Sequence, residues 1–433
     1  MTIVREFWGV NVPLLEELDA RGLVVQATDR EALSAFLVTR PQTIYCGFDP
    51  SADSLHVGNL VPLLALRRLQ LAGHRPVLLL GGATGLIGDP SGKSEERNLK
   101  ARELVEHFVQ KLRLQVSRFL DFDGANGAQI VNNIDWTERL SVIDYLRDVG
   151  KHFSVNRMME RDSVKTRLER EEQGISYTEF SYMVLQALDF LELARSESCL
   201  MQIGGSDQWG NMVSGADLIR RELKREAHVL TLPLITKADG TKFGKSADGA
   251  IWLDAAKTSP YAFYQFWLNA ADEDLDQFFR YFTFLPLSEV AALLTAHAAE
   301  PGKRTAQRRL AEVMTALVHG DEALAAAQRI SEALFSGGLA ALTETDIESL
   351  ERDGMASTRL PREPIGMLAA LVQAGLAASN GAARKLVQSG GVMVNGSRLD
   401  DPSAELHFSD ALFGRFFLLR RGKKQWHLIV GES

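Results

Sequence analysis

The chain has 433 residues, of which 45% are hydrophobic and 24% are charged. These proportions are ordinary for a globular protein with a large core, and they exclude wholesale disorder. The 48 Lys and Arg residues against 56 Asp and Glu residues give a net charge of −8, which excludes a uniformly basic nucleic-acid-binding surface but not a local basic patch. At about 100–200 residues per domain, the length indicates two to four domains.

The sequence also favours a reducing compartment. Cys46 and Cys199 lie far apart and belong to no CxxC pair or disulfide-rich framework. The first residues, MTIVREFWGVNVPLLEEL, lack the apolar stretch of a secretory signal. No run of about 18 apolar residues predicts a membrane span. We therefore expect a cytoplasmic protein.

The first predicted elements form a strand–helix–strand unit. Residues 43–48 (TIYCGF) are typical of a buried strand, residues 56–73 have helical periodicity ending in glycine, and residues 77–80 predict a second strand. This order is typical of a parallel α/β sheet. The pattern returns as further predicted strands and helices, at 129–134, 137–148, 199–203, 207–223 and 229–235.

The alternation of predicted strands and helices ends after about residue 255, and residues 260–335 show helical periodicity. We predict a Rossmann-like parallel-sheet domain over residues 1–240 and an all-helical domain over 241–345. A linker rich in acids, Gly and Pro follows over 346–364, and a small α+β module over 365–433. Residues 362–433 hold nine basic and six acidic residues, so this end carries +3 and the remainder −11. Such a tail suggests a polyanion partner, although a solvated surface would look the same.

Two motifs flank the α/β region. The first, DPSADSLHVGN, spans residues 49–59 between a strand and a helix, where free backbone N–H groups favour an anion. His56 and Asn59 share one face of the first turn, and Gly58 leaves room for a flat group. The second, KFGKS at 242–246, places Lys242 and Lys245 beside a glycine. Two such cations suit a polyphosphate whose charge grows in a transition state, although either motif alone is also compatible with a capped or solvated turn.

A polar stripe lies on a third segment. Tyr182, Gln186 and Asp189 stand at i, i+4 and i+7 of a helical stretch whose other positions are apolar. Buried polar groups need partners, so the stripe indicates either a ligand or an internal hydrogen-bond network. The glycine-rich stretch at 82–94 matches neither a Walker A loop nor GxGxxG, which argues against a P-loop kinase or a dinucleotide enzyme.

Together, the first two motifs resemble the HIGH and KMSKS signatures of class I aminoacyl-tRNA synthetases, in the same order along the chain. HIGH appears as HVGN and KMSKS as KFGKS, variants that look like those of tyrosyl enzymes. The similarity to bacterial tyrosyl-tRNA synthetases covers most of the chain. It is carried by YCGFD at 45–49, GATGLIGDPSGK at 82–93, YTEFSYMVLQALDF at 177–190 and QIGGSDQWGN at 202–211.

The resemblance implies a tyrosine–tRNA ligase that uses ATP with Mg²⁺ and needs neither an organic cofactor nor zinc. Its partners would be tRNA(Tyr), L-tyrosine and ATP, in a homodimer away from membranes. The residues that it implies for tyrosine binding are Tyr45 and Asp189 at the phenol hydroxyl, Asp89, Tyr182 and Gln186 at the ammonium group, and Gln208.

For the nucleotide, the resemblance implies two sets of residues. Those that bind ATP are Gly47, Asp49, His56, Gly58, Asn59, Gly205, Asp207, Lys245 and Ser246. Those that act on the phosphates in catalysis are Ser51, His56, Lys93, Arg97, Lys242 and Lys245. No protein side chains are expected to form a metal site.

The C-terminal stretch NGAARKLVQSGGVMVNG, residues 380–396, resembles the α-L RNA-binding module, with Arg384 and Lys385 as the implied RNA contacts. By resemblance, the helical domain before it would serve the anticodon region. Two alternatives stay open. One is a tryptophanyl-tRNA synthetase, against which Tyr45 and Asp189 argue. The other is an RNA-binding protein that has lost catalysis, against which the intact His56, Asp89, Lys242 and Lys245 argue.

Overall fold

A computed structural model describes residues 13–90, 100–161, 164–165, 168, 174–236, 238, 240, 243–246, 249–336, 338–422 and 425–432. The chain folds as two compact units. The first runs to Asp254 and includes Ala270–Leu310, and the second comprises Ala255–Asn269 and the residues from Ala311 onward.

The described strands are β1 Gln26–Ala27, β2 Thr43–Phe48, β3 Arg75–Leu80, β4 Gln129–Asn132, β5 Met201–Gly205, β6 His228–Leu232, β7 Lys245–Ser246, β8 Gly249–Ala250, β9 Ser357–Pro361, β10 Ile365–Gly366, β11 Val392–Val394, β12 Ser397–Arg398, β13 Glu405–Leu406, β14 Phe416–Arg421 and β15 Gln425–Glu432.

The described helices up to residue 223 are α1 Leu14–Ala20, α2 Arg30–Thr39, α3 Leu60–Leu71, α4 Thr84–Ile87, α5 Arg102–Val116, α6 Ile134–Thr137, α7 Val142–Asp144, α8 Val155–Met159, α9 Tyr177–Ser196 and α10 Trp209–Leu223. Those that follow are α11 Pro260–Leu268, α12 Leu275–Phe282, α13 Leu287–Ala299, α14 Thr305–His319, α15 Asp321–Ser336, α16 Glu344–Arg352, α17 Met367–Gln373 and α18 Asn380–Gln388. No helix of the described residues is long and apolar enough to cross a membrane.

The first unit is built on a six-stranded sheet in the order β1-β6-β5-β2-β3-β4. All neighbouring strands are parallel except β1 and β6, so the predicted parallel α/β fold is confirmed. Strand β3 pairs with β2 on one side, and β5 pairs with β2 on the other side, so the strand order reverses at β2. Such a switch point opens a crevice at the carboxyl ends of the strands, where ligands of α/β sheets bind.

Helix α9 lines this crevice with Tyr182, Gln186 and Asp189. Its sequence explains where the helix begins and which of its faces are buried. Ser176 accepts a hydrogen bond from the Glu179 N–H at 3.2 Å and begins the helix. Its apolar faces, including Leu188 and Phe190, enter the main core. This burial also carries Asp189 into the interior, where only 2% of its surface is exposed.

One predicted helix is interrupted. The single helix expected over 137–148 is wrong, because the structure has α6, then α7 and a π-helical turn, Tyr145–Val149. Ser141 explains the break, since its side chain accepts a hydrogen bond from the Asp144 N–H at 3.1 Å and starts a new helix.

The helical segment predicted over 241–345 is divided between the two units, and Ala270–Leu310 belongs with the sheet. Buried Arg68 on α3 shows why, since it donates to the Thr283 carbonyl oxygen at 2.5 Å, just after α12. Arg21 donates to the Leu285 carbonyl oxygen at 2.8 Å. These guanidinium groups satisfy carbonyl groups at the end of α12 and fix it to the first unit.

The second unit contains a five-stranded sheet in the order β12-β11-β14-β15-β9, and a short pair, β10 with β13. The linker predicted over 346–364 is wrong, because this stretch holds most of α16 and all of β9, which pairs with β15. Ile347 and Leu350 of α16 pack against Phe416 in a buried cluster. Acids and prolines suggested a linker, but the apolar face at i and i+3 decides the structure.

Candidate active site

A cavity of about 250 Å³ opens at the carboxyl ends of β2 and β5, at the switch point of the sheet. It is lined by Tyr45, Cys46, Gly47, Phe48, Asp49, Ser51, Asn59, Pro62, Leu79, Thr84, Asp89, Tyr182, Gln186, Asp189, Gln202, Ile203, Gly204, Gly205, Asp207, Gln208 and Met212. Segments more than a hundred residues apart therefore meet here, and the six residues implied for tyrosine binding all line one cavity.

The deep end of the cavity holds a buried carboxylate. Asp189 accepts hydrogen bonds from Asn133 Nδ2 and from Trp136 Nε1, each at 2.9 Å. Burial raises the pKa of Asp189 to about 7, although both hydrogen bonds favour its charged form. Asn133 is itself fixed, because its Oδ1 accepts from the Ala83 N–H at 2.7 Å. The carboxylate is thus held in one orientation before any ligand binds.

Beside this carboxylate lies a hydroxyl group without a partner. Tyr45 on β2 is 1% exposed and its ring packs against Phe190, with centroids 5.2 Å apart. Its hydroxyl is buried and makes no hydrogen bond to any described residue. Burial and the charge of Asp189 raise the pKa of Tyr45 well above its ordinary value, so the phenol is neutral. A buried hydroxyl left unpaired costs about 1–3 kcal/mol, which a ligand hydroxyl would recover.

Asn133 and Trp136 were not identified from the sequence, which left either a ligand or an internal hydrogen-bond network as the partner of the polar stripe. Since these two residues donate to both carboxylate oxygens of Asp189, part of an internal network is in place before any ligand binds. A signal was available in the sequence, since Asn132 and Asn133 end a predicted strand. Polar groups at the carboxyl end of a parallel strand lie at the crevice.

Next to the deep end is a group of acidic side chains around Tyr182. The Tyr182 hydroxyl donates to Asp49 Oδ2 at 2.7 Å, and Thr84 Oγ1 donates to Asp49 Oδ1 at 2.7 Å. Burial, followed by the charges of Asp49, Asp89 and Asp189, raises the pKa of Tyr182 well above its usual value. This excess of negative charge suits a ligand cation. The structure thus places Asp49, implied for ATP, in direct contact with a residue implied for tyrosine.

The remaining polar side chains form a second network. Gln208 Nε2 donates to Asp89 Oδ2 at 2.7 Å, and Asn211 Nδ2 donates to Gln186 Oε1 at 3.0 Å and to Gln208 Oε1 at 3.2 Å. Gln186 is therefore linked to Asp89 through Asn211 and Gln208. Asn211 is another residue that sequence reasoning missed. Its network connects Asp89 and Gln186, which both line the cavity.

The mouth of the cavity is formed by strand ends and the segments that follow them. It is lined by Gly47 of β2, Gly205 at the end of β5, and Ser51, Asn59 and Asp207, whereas His56 and Gly58 are not among its lining residues. A Cβ at Gly205 would lie 2.5 Å from Asp207 Oδ1, so a larger residue there would require the Asp207 carboxylate to shift.

The HVGN motif forms a compact helix start rather than an exposed loop. Asn59 Oδ1 accepts from the His56 N–H at 3.0 Å, and His56 Nδ1 accepts from the Gly58 N–H at 3.0 Å. These reciprocal bonds form a capping box at the turn Val57–Asn59 that leads into α3. The motif is therefore fixed by its own side chains.

Gly244 of the KFGKS motif lies against Val57 and Gly58 of HVGN. Buried Phe243 packs against Phe278 and Phe282 of α12, with centroids 4.9 and 5.2 Å apart. Gly244 has φ +79°, and a side chain there would lie 2.8 Å from Val57 Cγ2. Phe243 and Gly244 thus anchor the motif next to the helix start.

Several predicted cations are not described. Lys93, Arg97 and Lys242 lie outside the described residues, as do the side chains of Lys245 and Ser246, whose backbone forms β7. Their roles stay predictions.

The predicted module at the C-terminal end has the expected local structure. Arg384 and Lys385 are exposed on α18, which begins where Ser379 Oγ accepts from the Ala382 N–H at 3.2 Å. Asn395 and Gly396, with φ +47° and +84°, form the tight turn between β11 and β12. Two successive positive φ angles are typical of a hairpin turn with this Asn-Gly sequence.

Comparison with known proteins gives matches along most of the chain. Residues 38–336 match the family described as tRNA synthetases class I (W and Y), and residues 346–429 match the Tyrosine–tRNA ligase SYY-like C-terminal domain. The chain is 54% identical over 417 residues to a Tyrosine–tRNA ligase of Dechloromonas aromatica, covering 96% of this chain and 98% of that protein. It is 54% identical over 426 residues to one of Aeromonas hydrophila, covering 98% and 100%.

A solved structure gives the same result. The chain is similar to a C-terminally truncated mitochondrial tyrosyl-tRNA synthetase of Aspergillus nidulans, with a TM-score of 0.69, 29% identity and coverage of 76% of this chain and 95% of that one. The chain therefore belongs to the tyrosine–tRNA ligase family of class I aminoacyl-tRNA synthetases.

Proposed function

We propose that this enzyme activates L-tyrosine with ATP and transfers it to the 3′ end of tRNA(Tyr). A tyrosine carboxylate oxygen attacks the α-phosphorus, the bond to the β-phosphate bridging oxygen breaks, and pyrophosphate leaves. A terminal ribose hydroxyl of tRNA then attacks the carbonyl carbon of tyrosyl-adenylate, and AMP leaves. The observation that carries this proposal is the unpaired Tyr45 hydroxyl beside the fixed Asp189 carboxylate.

The substrate phenol fits this pair because its hydroxyl both donates and accepts. It donates to Asp189 and accepts from Tyr45, so the Tyr45 hydroxyl gains the partner that it lacks. Phenylalanine would leave the Tyr45 hydroxyl unpaired. The ammonium group of tyrosine lies among Asp49, Asp89 and Tyr182, where the carboxylates provide negative charge. Gln186 and Gln208 complete this end of the site.

ATP occupies the mouth of the cavity. Its α-phosphate must lie next to the tyrosine carboxylate, which places the ribose near Gly205 and Asp207 and the terminal phosphates near Ser51 and His56. Lys93, Arg97, Lys242 and Lys245 supply positive charge as the leaving pyrophosphate develops its own. Catalysis then rests on positioning and charge stabilisation rather than on a covalent intermediate.

Mg²⁺ enters bound to ATP, as is usual for phosphate substrates. Among the residues that the structure describes, no group of three or more His, Cys, Asp or Glu side chains could hold a metal ion. We propose that the protein contributes to the metal site through the phosphates that it binds.

The C-terminal module binds tRNA. Arg384 and Lys385 are exposed on α18 of a module with a net charge of +3, which favours contact with RNA phosphates. We also propose that the enzyme acts in the cytoplasm.

We propose a homodimer whose interface includes the region between α7 and the start of α9. Large apolar side chains are exposed there, among them Val142 at 72%, Ile143 at 67% and Tyr177 at 72%. Exposed apolar surface of this extent favours an interface. Sedimentation of an Ile143→Asp variant should show a shift to monomer, whereas Val38→Asp, at a site 71% exposed on α2, should leave the dimer intact.

ATP–pyrophosphate exchange tests the main proposal. Exchange should depend on tyrosine and not on tryptophan or phenylalanine, and tRNA(Tyr) should then be charged. Exchange that requires tryptophan would favour the tryptophanyl alternative, and no exchange with any amino acid would favour an RNA-binding protein without catalysis.

A further inference from the structure

Lys100 makes contacts that the tyrosine- and ATP-binding residues do not explain. It lies two residues before α5, and its Nζ donates to the carbonyl oxygens of Pro50 at 3.2 Å and Ser51 at 2.5 Å. The ammonium group also lies 5.1 Å from the centre of the Phe108 ring. A half-buried lysine is thus directed onto the backbone of a turn that enters the cavity.

The turn that Lys100 holds carries groups from both halves of the site. Asp49 is fixed at one end by Tyr182 and Thr84. Ser51 lies at the mouth, and its N–H donates to the Asp49 carbonyl oxygen at 2.7 Å. Lys100 secures the other end, so the turn is fixed at two points.

Anchoring these carbonyl groups has a consequence for the neighbouring N–H groups. In a trans peptide the carbonyl and the following N–H point in opposite directions. When the Ser51 carbonyl bonds to Lys100, the direction of the Ala52 N–H is fixed as well. Backbone N–H groups of such turns are donors for phosphate oxygens, and a lysine adds positive charge nearby.

We propose that Lys100 is a positioning residue for the ATP phosphates: it orients the backbone of residues 50–52 and raises the positive potential at the mouth of the cavity. This role rests on the proposed function, in which Ser51 and His56 face the terminal phosphates. A lysine that only stabilises the fold would act equally on every ligand, whereas a positioning role acts on ATP and not on tyrosine.

The test uses the full-length enzyme with Lys100→Met, which keeps the apolar stem and removes the charge. In tyrosine-dependent ATP–pyrophosphate exchange, kcat/KM for ATP should fall by about 10- to 100-fold, as expected for loss of hydrogen bonds from a charged donor. The equilibrium Kd for tyrosine and the Tm should stay close to those of the wild type. Lys100→Arg should restore most of the lost activity.

Lys111→Met, at an exposed lysine of α5, is the matched control and should leave kcat/KM for ATP unchanged. If Lys100→Met does not fold, Lys100→Gln tests the loss of charge while keeping a donor. If the wild type is active and kcat/KM for ATP of Lys100→Met is within twofold of the wild-type value, the proposed role of Lys100 is overturned and the proposed function stands. If kcat/KM for ATP and the affinity for tyrosine fall by the same factor, the positioning role is also overturned, in favour of a structural role. A wild type without exchange would remove the proposed function and this inference together.

Discussion

The deep end of the cavity and its mouth are built from different structures. At the deep end, Tyr45, Asn133 and Asp189 are at most 2% exposed and lie on a strand, a strand end and a helix. At the mouth, Ser51 and Asp207 are exposed and lie in the segments that follow β2 and β5. The deep end is fixed by buried hydrogen bonds, which suits recognition of a hydroxyl. The mouth exposes backbone groups, glycines and motif residues, which suits a charged and larger ligand.

This difference separates selectivity from rate. Changes at the deep end should alter which amino acid is accepted, because the groups there are in place before binding. Changes at the mouth should alter how fast adenylate forms, because charge develops there only during the reaction. The following experiments test that division, from the largest expected effect to the smallest.

At the mouth, Lys242→Ala should slow tyrosyl-adenylate formation by about 10²–10³-fold, as expected when a group that stabilises transition-state charge is lost. The Kd for tyrosine should change little. Pre-steady-state activation rates and equilibrium tyrosine binding measure both quantities. Lys257→Ala, outside the KFGKS motif, is the control. A tenfold weaker tyrosine affinity with an unchanged activation rate would contradict this role, because Lys242 would then act on tyrosine binding and not on the transition state.

At the deep end, Trp136→Phe removes one of two donors to the Asp189 carboxylate. Tyrosine affinity should fall by about tenfold, since a hydrogen bond to a charged group contributes about 1.5–3 kcal/mol and the other donor remains. The maximal activation rate should change less. Trp267→Phe, on α11 away from the cavity lining, controls for the loss of an indole. A variant with unchanged tyrosine affinity would show that this donor does not organise the site.

These two donors show where sequence reasoning stops. Tyr45, Asp189 and the stripe on α9 were available from motifs and helical periodicity. Asn133 and Trp136 were not, because a hydrogen bond across 56 or 53 residues depends on how the strands stack. The same limit explains the predicted linker. Its acids and prolines are local features, whereas the pairing of β9 with β15 joins segments about 70 residues apart.

The raised pKa of Asp189 makes stability depend on pH. With a pKa of about 7 in the folded enzyme against 3.8 as the reference, the native state binds a proton between these values that the unfolded chain does not. The contribution of Asp189 to the stability of the ligand-free wild type should therefore fall as pH rises from 4 to 7. Asp189→Asn does not titrate, so its stability relative to the wild type should rise over this range, by about 3 kcal/mol. Denaturation curves of the wild type and of Asp189→Asn at several pH values measure this difference. If the free energies of unfolding of the two proteins changed with pH in parallel, the raised pKa of Asp189 would be contradicted.

The smallest effect is expected from the C-terminal module. Replacing Arg384 and Lys385 together by Gln should raise the KM for tRNA by about three- to tenfold and reduce its salt dependence, because phosphate contacts are lost. ATP–pyrophosphate exchange should be unaffected. Lys303→Gln, at an exposed lysine outside this module, is the control. A truncation near residue 350 is a poorer test, because it would cut α16 and remove Phe416, which would uncover Ile330 and Ile347 of the same buried cluster.

The central claim is that Tyr45 and Asp189 together recognise the substrate hydroxyl. Its most direct test is the ratio of kcat/KM for tyrosine to that for phenylalanine in ATP–pyrophosphate exchange. Tyr45→Phe removes one neutral hydrogen bond, and the ratio should fall by up to about tenfold, corresponding to about 0.5–1.5 kcal/mol. Asp189→Ala should lower the ratio further, because a charge-assisted partner is lost. If both variants kept the wild-type ratio, neither residue would recognise the hydroxyl and this account of tyrosine selection would be wrong.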